Sequence, residues 1–139
     1  MADDVVLNKA AIVERCVARV REVHAGRDAN LLEDQTRQDS ILLNLQRACE
    51  ASIDLAMYVV RKRRLGLPQE SREAFDLLEQ AGLLAPDLAR AMRAMVGFRN
   101  VAVHSYRELD LAIVRSIVHE RLEDFEAFTS HVVRQLARD

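Results

Sequence analysis

A long apolar repeat in the middle of the chain constrains its fold more than any other feature. From about Thr36 to Arg64, apolar or small residues recur at near-heptad spacing: Leu42, Leu45, Cys49, Ser52, Ala56 and Val59. This spacing places one stripe of a single helix against its neighbours. A helix of this length in a small domain packs against several partner helices or against a second subunit. Gly66 and Pro68 end it.

The rest of the chain is also predicted to be helical. Apolar periodicity and capping residues predict further helices over residues 5–24, from Ser71 to Gly82, from Pro86 through the segment that carries Arg99, and from Asp110 to about Arg138. The chain has 4 Gly and 2 Pro, and it lacks strand-like alternating runs. We therefore predict an all-α fold, an antiparallel bundle of about five helices that forms one domain over residues 1–139.

Charge and cysteine content exclude several classes of protein. The net charge is −2 and the pI is about 6.1, so any nucleic-acid contact must come from a local basic patch. Cys16 and Cys49 are too few for a disulfide framework. His119 and His131 have no His or Cys partner one turn away, so we predict surface residues and no metal site. Without a signal peptide or an apolar run of about 20 residues, we expect a cytoplasmic protein that does not bind membranes.

One short stretch concentrates the chemistry of the chain, and its residues are Arg99, Asn100, His104 and Tyr106. Arg99 has a permanent charge that can bind a phosphate through two N–H groups, and His104 can move a proton near neutral pH. On an ideal helix Arg99 and His104 are roughly 140° apart and diverge. Either the helix ends near Val103 and turns His104 back, or a second chain supplies part of the site.

The helix that carries Arg99 is predicted to weaken near its end. Gly97 inside the helix costs about 1 kcal/mol relative to alanine, which indicates either close packing or a local break. Val101 and Val103 are poor helix formers, so we expect the helix to fray before His104.

Acidic residues on the long helix have two interpretations. Glu50 and Asp54 are four residues apart on one face, so they either form a general acid/base pair or bind arginines of the same helix. Asp39, near the start of this helix, either complements the helix dipole or orients residues of the motif.

A basic run closes the long helix: Arg61, Lys62, Arg63 and Arg64. Cations in the last turn complement the helix dipole. Four in succession exceed what the dipole requires, so we hypothesise that some of them also contact RNA phosphates.

The motif Arg-x4-His-x-Tyr resembles that of HEPN domains, small all-helical ribonucleases and RNA-associated modules. It is most similar to the HepT-like toxins of HEPN–MNT toxin–antitoxin pairs. Residues 38–56 resemble the second helix of that family, and residues 95–100 resemble the usual lead-in to its motif. The similarity covers most of the chain. It implies a HEPN-type bundle that forms a symmetric homodimer, with both motifs facing one groove.

The resemblance also implies an activity. Arg99 and His104 match the catalytic pair, and Asn100 matches the polar residue that orients it. The family substrate is RNA, with tRNA the best-known target. The RNA 2′-hydroxyl is itself a nucleophile, so cleavage needs no metal or other cofactor. Tyr106 matches the tyrosine that the MNT nucleotidyltransferase antitoxin modifies with AMP to silence the toxin.

Two other functions remain open. The chain could be a catalytically inactive HEPN helper that binds RNA or a nucleotide, or assists a nucleotidyltransferase. It could also be a purely structural helical dimer, in which Arg99 pairs with Glu50 and His104 caps a helix end.

Overall fold

The computed structural model describes residues 3–136, and within that range it contains helices and no strand. The elements are α1 (Asp4–His24), α2 (Ala29–Leu32), α3 (Gln35–Lys62), α4 (Ser71–Gln80), α5 (Pro86–His104), a short 3-10 turn (Tyr106–Glu108), α6 (Leu111–Glu120) and α7 (Leu122–Leu136). The prediction of an all-α fold is confirmed.

The long helix α3 is the centre of the bundle. It packs against α1, α2, α4, α5 and α7. All the residues of the predicted apolar repeat are buried. Phe75 of α4 and Phe128 of α7 are fully buried and meet edge to face, with their ring centroids 5.5 Å apart. The periodicity therefore identified the core face of α3 correctly.

The predicted number of about five helices is too low, since residues 3–136 contain seven α-helices. The polar connection after α1 contains the four-residue helix α2, which buries Leu31. The predicted last helix is divided at Arg121 (φ −119°, ψ −4°) into α6 and α7. The division lets α6 reach α2 while α7 packs along α1, α3 and α5. The predicted end near Arg138 lies outside the described residues.

Acidic side chains cap several helices. Asp3, Asp34 and Asp110 accept hydrogen bonds from backbone N–H groups at the starts of α1, α3 and α6. Pro86 is the first residue of α5, as predicted. These caps place the beginnings of α3 and α6 close to where the sequence indicates them.

The structure also bears on the two cysteines and on membrane crossing. Cys16 and Cys49 are free and buried, and burial raises the pKa of both thiols, so both remain protonated. Among the described helices, none has the length and apolar character that crossing a bilayer requires.

Candidate active site

The motif occupies the end of α5 and the turn that follows. The prediction that the helix frays before His104 is wrong: α5 continues through His104, and the Ser105 N–H closes its last turn on the Val101 carbonyl at 2.8 Å. Because the helix is regular up to that point, Arg99 and His104 leave it on different sides. The structure thus excludes a turn that folds His104 back toward Arg99.

Arg99 points inward, between α3 and α4. Its Nη1 donates to Glu50 Oε1 at 3.0 Å, and its Nη2 donates to Ser71 Oγ at 3.0 Å. The side chain is 20% exposed, and its Nε is buried without a hydrogen-bond partner in the described part of the chain. The ion pair with Glu50 is therefore present, and it fixes the guanidinium while leaving some of its N–H groups unused.

The two acidic residues of α3 do not act as a pair. Glu50 binds Arg99 on α5, whereas Asp54 binds Lys9 Nζ of α1 at 3.2 Å. The acid/base pair is therefore not formed, and neither residue pairs with an arginine of its own helix. Residues four apart on α3 differ in direction by about 40°, which is enough to reach different neighbouring helices.

The other end of the motif faces solvent. Asn100 and His104 are both exposed, and within residues 3–136 their side chains make no hydrogen bond or ion pair. Four residues separate them, so they lie on the same face of α5. Val101 and Val103 beside them are 39% and 46% exposed. This face of the motif is available to another molecule.

Tyr106 and Asp39 are in contact. The Tyr106 hydroxyl lies on the 3-10 turn and donates to Asp39 Oδ1 at 3.1 Å. Gln35 Nε2 also donates to Asp39, at 2.8 Å. Partial burial, together with the bond to Asp39, raises the pKa of Tyr106. Asp39 therefore contacts a residue of the motif. It lies beyond the first turn of α3, so the predicted role in complementing the helix dipole is wrong.

The basic run at the end of α3 has partly structural contacts. Lys62 binds Asp3, whose Oδ2 also accepts from the Tyr58 hydroxyl at 2.7 Å. The bond from Lys62 is the main reason that the pKa of Asp3 falls to about 2. Arg61 lies over the Tyr58 ring, 5.6 Å from its centroid. All four cations of the run remain exposed, and Arg64 has a positive φ of 54°.

An apolar groove of about 880 Å³ runs beside the motif, between α5 and residues 108–121. Its apolar lining includes Met95, Phe98, Val101, Leu109, Ile113 and Ile117. Ile113 is 56% exposed. Such a patch next to exposed polar residues is typical of a protein–protein contact.

Gly97 lies on the wall of this groove. A Cβ at Gly97 would lie 2.7 Å from Arg72 Nη2. Since α5 is unbroken there, the predicted alternative of a local break is wrong, and the close approach at Gly97 is to the flexible end of the Arg72 side chain.

An all-helical bundle with Arg-x4-His-x-Tyr at the end of α5 defines a HEPN-class domain. The family model described as Ribonuclease HepT-like matches residues 13–132, and the chain belongs to this family. The chain is 47% identical over 126 residues to the mRNA nuclease HepT of Shewanella oneidensis, covering 91% of this chain and 94% of the relative. It is 27% identical over 88 residues to the tRNA nuclease HepT of Aphanizomenon flos-aquae. This match covers 63% of this chain and 60% of that relative.

A solved structure gives the same fold. It contains the tri-AMPylated Shewanella oneidensis HEPN toxin in complex with MNT antitoxin. The TM-score is 0.88 at 45% sequence identity, over 94% of this chain and 97% of the toxin chain. The HEPN fold of the chain is thereby confirmed.

Two features of the structure were not predicted. Ser71, the predicted start of a helix, is the first residue of α4, and its Oγ binds Arg99, 28 residues away. His119 is exposed, as predicted, yet it binds Asp28, 91 residues away. No local spacing could have indicated contacts at such separations.

Proposed function

We propose that this chain is a toxin endoribonuclease whose active site is shared by two copies in a symmetric homodimer. The observation that carries the proposal is the divergence of Arg99 and His104 on one regular helix. One copy holds its arginine between helices and presents its histidine outward, so the two groups act together most readily across an interface between copies.

The proposed reaction is a transesterification within the RNA. The 2′-hydroxyl oxygen attacks the adjacent phosphorus, and the bond from phosphorus to the 5′ oxygen breaks. His104 of one copy accepts the 2′-hydroxyl proton, and the second His104 protonates the leaving 5′ oxygen. Arg99 stabilises the charge that develops on the phosphate oxygens. The products are a 2′,3′-cyclic phosphate and a 5′-hydroxyl, and no step requires a metal ion.

Three side chains support this site. Glu50 and Ser71 fix the Arg99 guanidinium before substrate binds, which lowers the entropic cost of orienting it. Asn100 lies on the His104 face, where its amide can bind the phosphate or orient the imidazole. Glu50 also competes with the phosphate for Arg99, so its charge limits affinity for RNA.

The groove beside α5 supports the homodimer. A second copy would bury exposed apolar side chains such as Ile113 and Val101 and would bring a second His104 near the first. Ile113→Glu should therefore yield a monomer that does not cleave RNA. Light scattering after size exclusion and circular dichroism measure the mass and the fold, and a dimeric, active Ile113→Glu variant would exclude this interface.

The proposed regulation acts at Tyr106. An MNT-family nucleotidyltransferase would transfer AMP from ATP to the tyrosine: the phenol oxygen attacks the α-phosphorus, pyrophosphate leaves, and Asp39 orients the hydroxyl and receives its proton. The attached AMP adds bulk and negative charge beside the cleft, which opposes RNA binding. Support comes from the tri-AMPylated HEPN toxin solved with MNT antitoxin.

This regulation can be tested by mass spectrometry. After incubation with the nucleotidyltransferase and ATP, Tyr106 should carry one or more AMP units and cleavage should stop. Tyr106→Phe should cleave RNA and escape inhibition. An unmodified Tyr106 would contradict the proposal.

The substrate class is RNA. The resemblance led us to expect tRNA, and the 27% identical relative is a tRNA nuclease, but the 47% identical relative is an mRNA nuclease. The basic run supports binding along the RNA backbone, since its cations are exposed. Reversing Arg61 and Arg64 to glutamate should weaken RNA binding without changing the fold, and unchanged binding would remove the run from the interface.

A second candidate function is a catalytically inactive HEPN helper, acting in the cytoplasm like the proposed toxin. The ion pair between Arg99 and Glu50 favours it, since Glu50 already neutralises the arginine.

Cleavage assays distinguish the two candidates. Purified protein is incubated with labelled tRNA and with an unstructured mRNA fragment, both with excess EDTA. The toxin proposal predicts cleavage with cyclic phosphate ends, and intact RNA of both kinds would favour the helper.

A further inference from the structure

Three polar side chains converge away from the motif, where the turn after α1 meets the end of α6. The distance from His24 Nε2 to Asp28 Oδ1 is 2.9 Å, and that from His119 Nε2 to the same oxygen is 2.7 Å. The three atoms lie within 4.8 Å of one another. None of the three residues belongs to the proposed active site.

The backbone of the turn builds this arrangement. Ala25 and Gly26 both have positive φ, 52° and 71°, which reverses the chain after α1. The reversal places Asp28 beside His24, the last residue of α1. Asn30 Nδ2 donates to the His24 carbonyl at 2.9 Å and fixes the turn.

The cluster is anchored on its inner side and open on its outer side. The His24 side chain is only 8% exposed, whereas Asp28 and His119 are 28% and 47% exposed. Arg115 Nε donates to Asp28 Oδ2 at 2.7 Å and thereby orients Oδ1 toward both imidazoles.

We propose that His24, Asp28 and His119 bind one divalent transition-metal ion, Zn²⁺ in the first place, with water in the remaining position. Two imidazole nitrogens and one carboxylate oxygen form a common ligand set for zinc, and Arg115 supplies the outer hydrogen bond that ligating carboxylates usually have. Ligand lengths of about 2.0–2.1 Å place tetrahedral ligand atoms about 3.3 Å apart. The His24 and His119 nitrogens, now 2.9 and 2.7 Å from Asp28 Oδ1, therefore need to move away from it by about 0.4 and about 0.6 Å.

The geometry of the cluster suits a cation as well as hydrogen bonds. Both imidazole nitrogens face the same Asp28 oxygen, and Arg115 occupies the other oxygen. A metal ion uses both imidazole nitrogens and the carboxylate together. The helix α6 follows the 3-10 turn that carries Tyr106, and it lines the apolar groove. A bound ion would therefore link the groove side of α6 to the turn after α1.

Metal titration tests the proposal. Chelator-treated, dialysed protein is titrated with Zn²⁺ by calorimetry and with Co²⁺ by visible absorption. We expect one ion per chain, the absorption of a low-symmetry Co²⁺ site, and a higher melting temperature with metal. His104→Ala, which removes another exposed histidine, should bind like the wild type.

Two variants separate a metal site from a hydrogen-bonded cluster. His119→Ala should lower the affinity for Zn²⁺ at least tenfold. In His119→Gln the amide can still donate to Asp28, so the metal-free melting temperature should stay near that of the wild type while Zn²⁺ affinity falls equally. Absence of Zn²⁺ binding to the wild type, or equal binding by wild type and His119→Ala, would overturn the proposal. RNA cleavage enters none of these measurements.

Discussion

The two ends of the motif differ sharply in their surroundings. Arg99 is held by Glu50 and Ser71 from two other helices, whereas His104, five residues further on, is exposed and has no side-chain partner in the described part of the chain. Folding of one chain therefore fixes the proposed phosphate-binding group, Arg99, and leaves the proposed proton-transfer group, His104, without a side-chain partner in residues 3–136. The contrast is what the proposed shared site would require, with folding preparing one half and a second copy supplying the other.

The difference follows from the chemistry of the two side chains. A guanidinium inside a helical bundle is costly unless it is paired, so Arg99 requires Glu50. An imidazole at the surface needs no such partner and stays accessible to another molecule. The substitutions below probe this contrast from the largest expected effect to the smallest.

His104→Ala should have the largest effect on activity and the least on the fold. Loss of general acid/base catalysis should lower single-turnover RNA cleavage about 10²–10⁴-fold. Because the side chain is exposed, the free energy of unfolding in urea should change by less than about 0.5 kcal/mol. A large loss of stability would mean that His104 is structural, and it would contradict the contrast between a fixed Arg99 and a free-standing His104.

Arg99→Lys should lower both RNA cleavage and the stability of the fold. The lysine ammonium cannot match the planar guanidinium that contacts Glu50 and Ser71 together, so cleavage should fall about 10²-fold and stability by about 1 kcal/mol. Arg19→Lys, at an exposed ion pair with Glu22 on α1, is the matched control and should change neither. Wild-type cleavage by Arg99→Lys would show that orientation of the guanidinium is unimportant.

Glu50→Gln should have a smaller effect, and it should lower KM and kcat for separate reasons. The amide oxygen can still accept from Arg99, but loss of the charge frees the guanidinium for phosphate, so KM for RNA should fall. Looser positioning should lower kcat about tenfold, equivalent to about 1.4 kcal/mol. Asp54→Asn, which affects the ion pair with Lys9, is the control and should leave both constants unchanged. A rise in KM would contradict this competition.

Gly97→Ala should have the smallest effect. The added Cβ meets only the end of the flexible Arg72 side chain, which can move, and alanine gains up to about 1 kcal/mol of helix propensity. The net change in stability should stay within about 0.5 kcal/mol, as measured by urea unfolding. A loss above about 2 kcal/mol would show that Arg72 cannot move.

The local features of this molecule could be predicted from its sequence. The apolar period of α3, the caps at Pro86 and Asp110 and the motif around Arg99 depend on neighbouring residues, so the helical class and the family were predicted correctly. The end of α5 was not, because the burial of Phe98 and Ala102 outweighs the weak helix propensity of the exposed Val101 and Val103.

Features that depend on distant residues could not be predicted. No Gly or Pro marks the boundary between α6 and α7 at Arg121, and the apolar stripe continues across it. The sequence pattern therefore predicts one helix. The bond from Arg99 to Ser71 and the cluster of His24, Asp28 and His119 join residues that only the packed helices bring together. Spacing along the chain does not encode such contacts.

The most direct test of the shared site measures a mixed dimer. Wild-type and His104→Ala chains with different tags are combined, and the dimer with one copy of each is purified and assayed for RNA cleavage. If both histidines serve one cleft, one defective copy should reduce cleavage to well below a tenth of that of the wild-type dimer. Half of the wild-type activity would show that each chain carries a complete site, and it would contradict the shared active site.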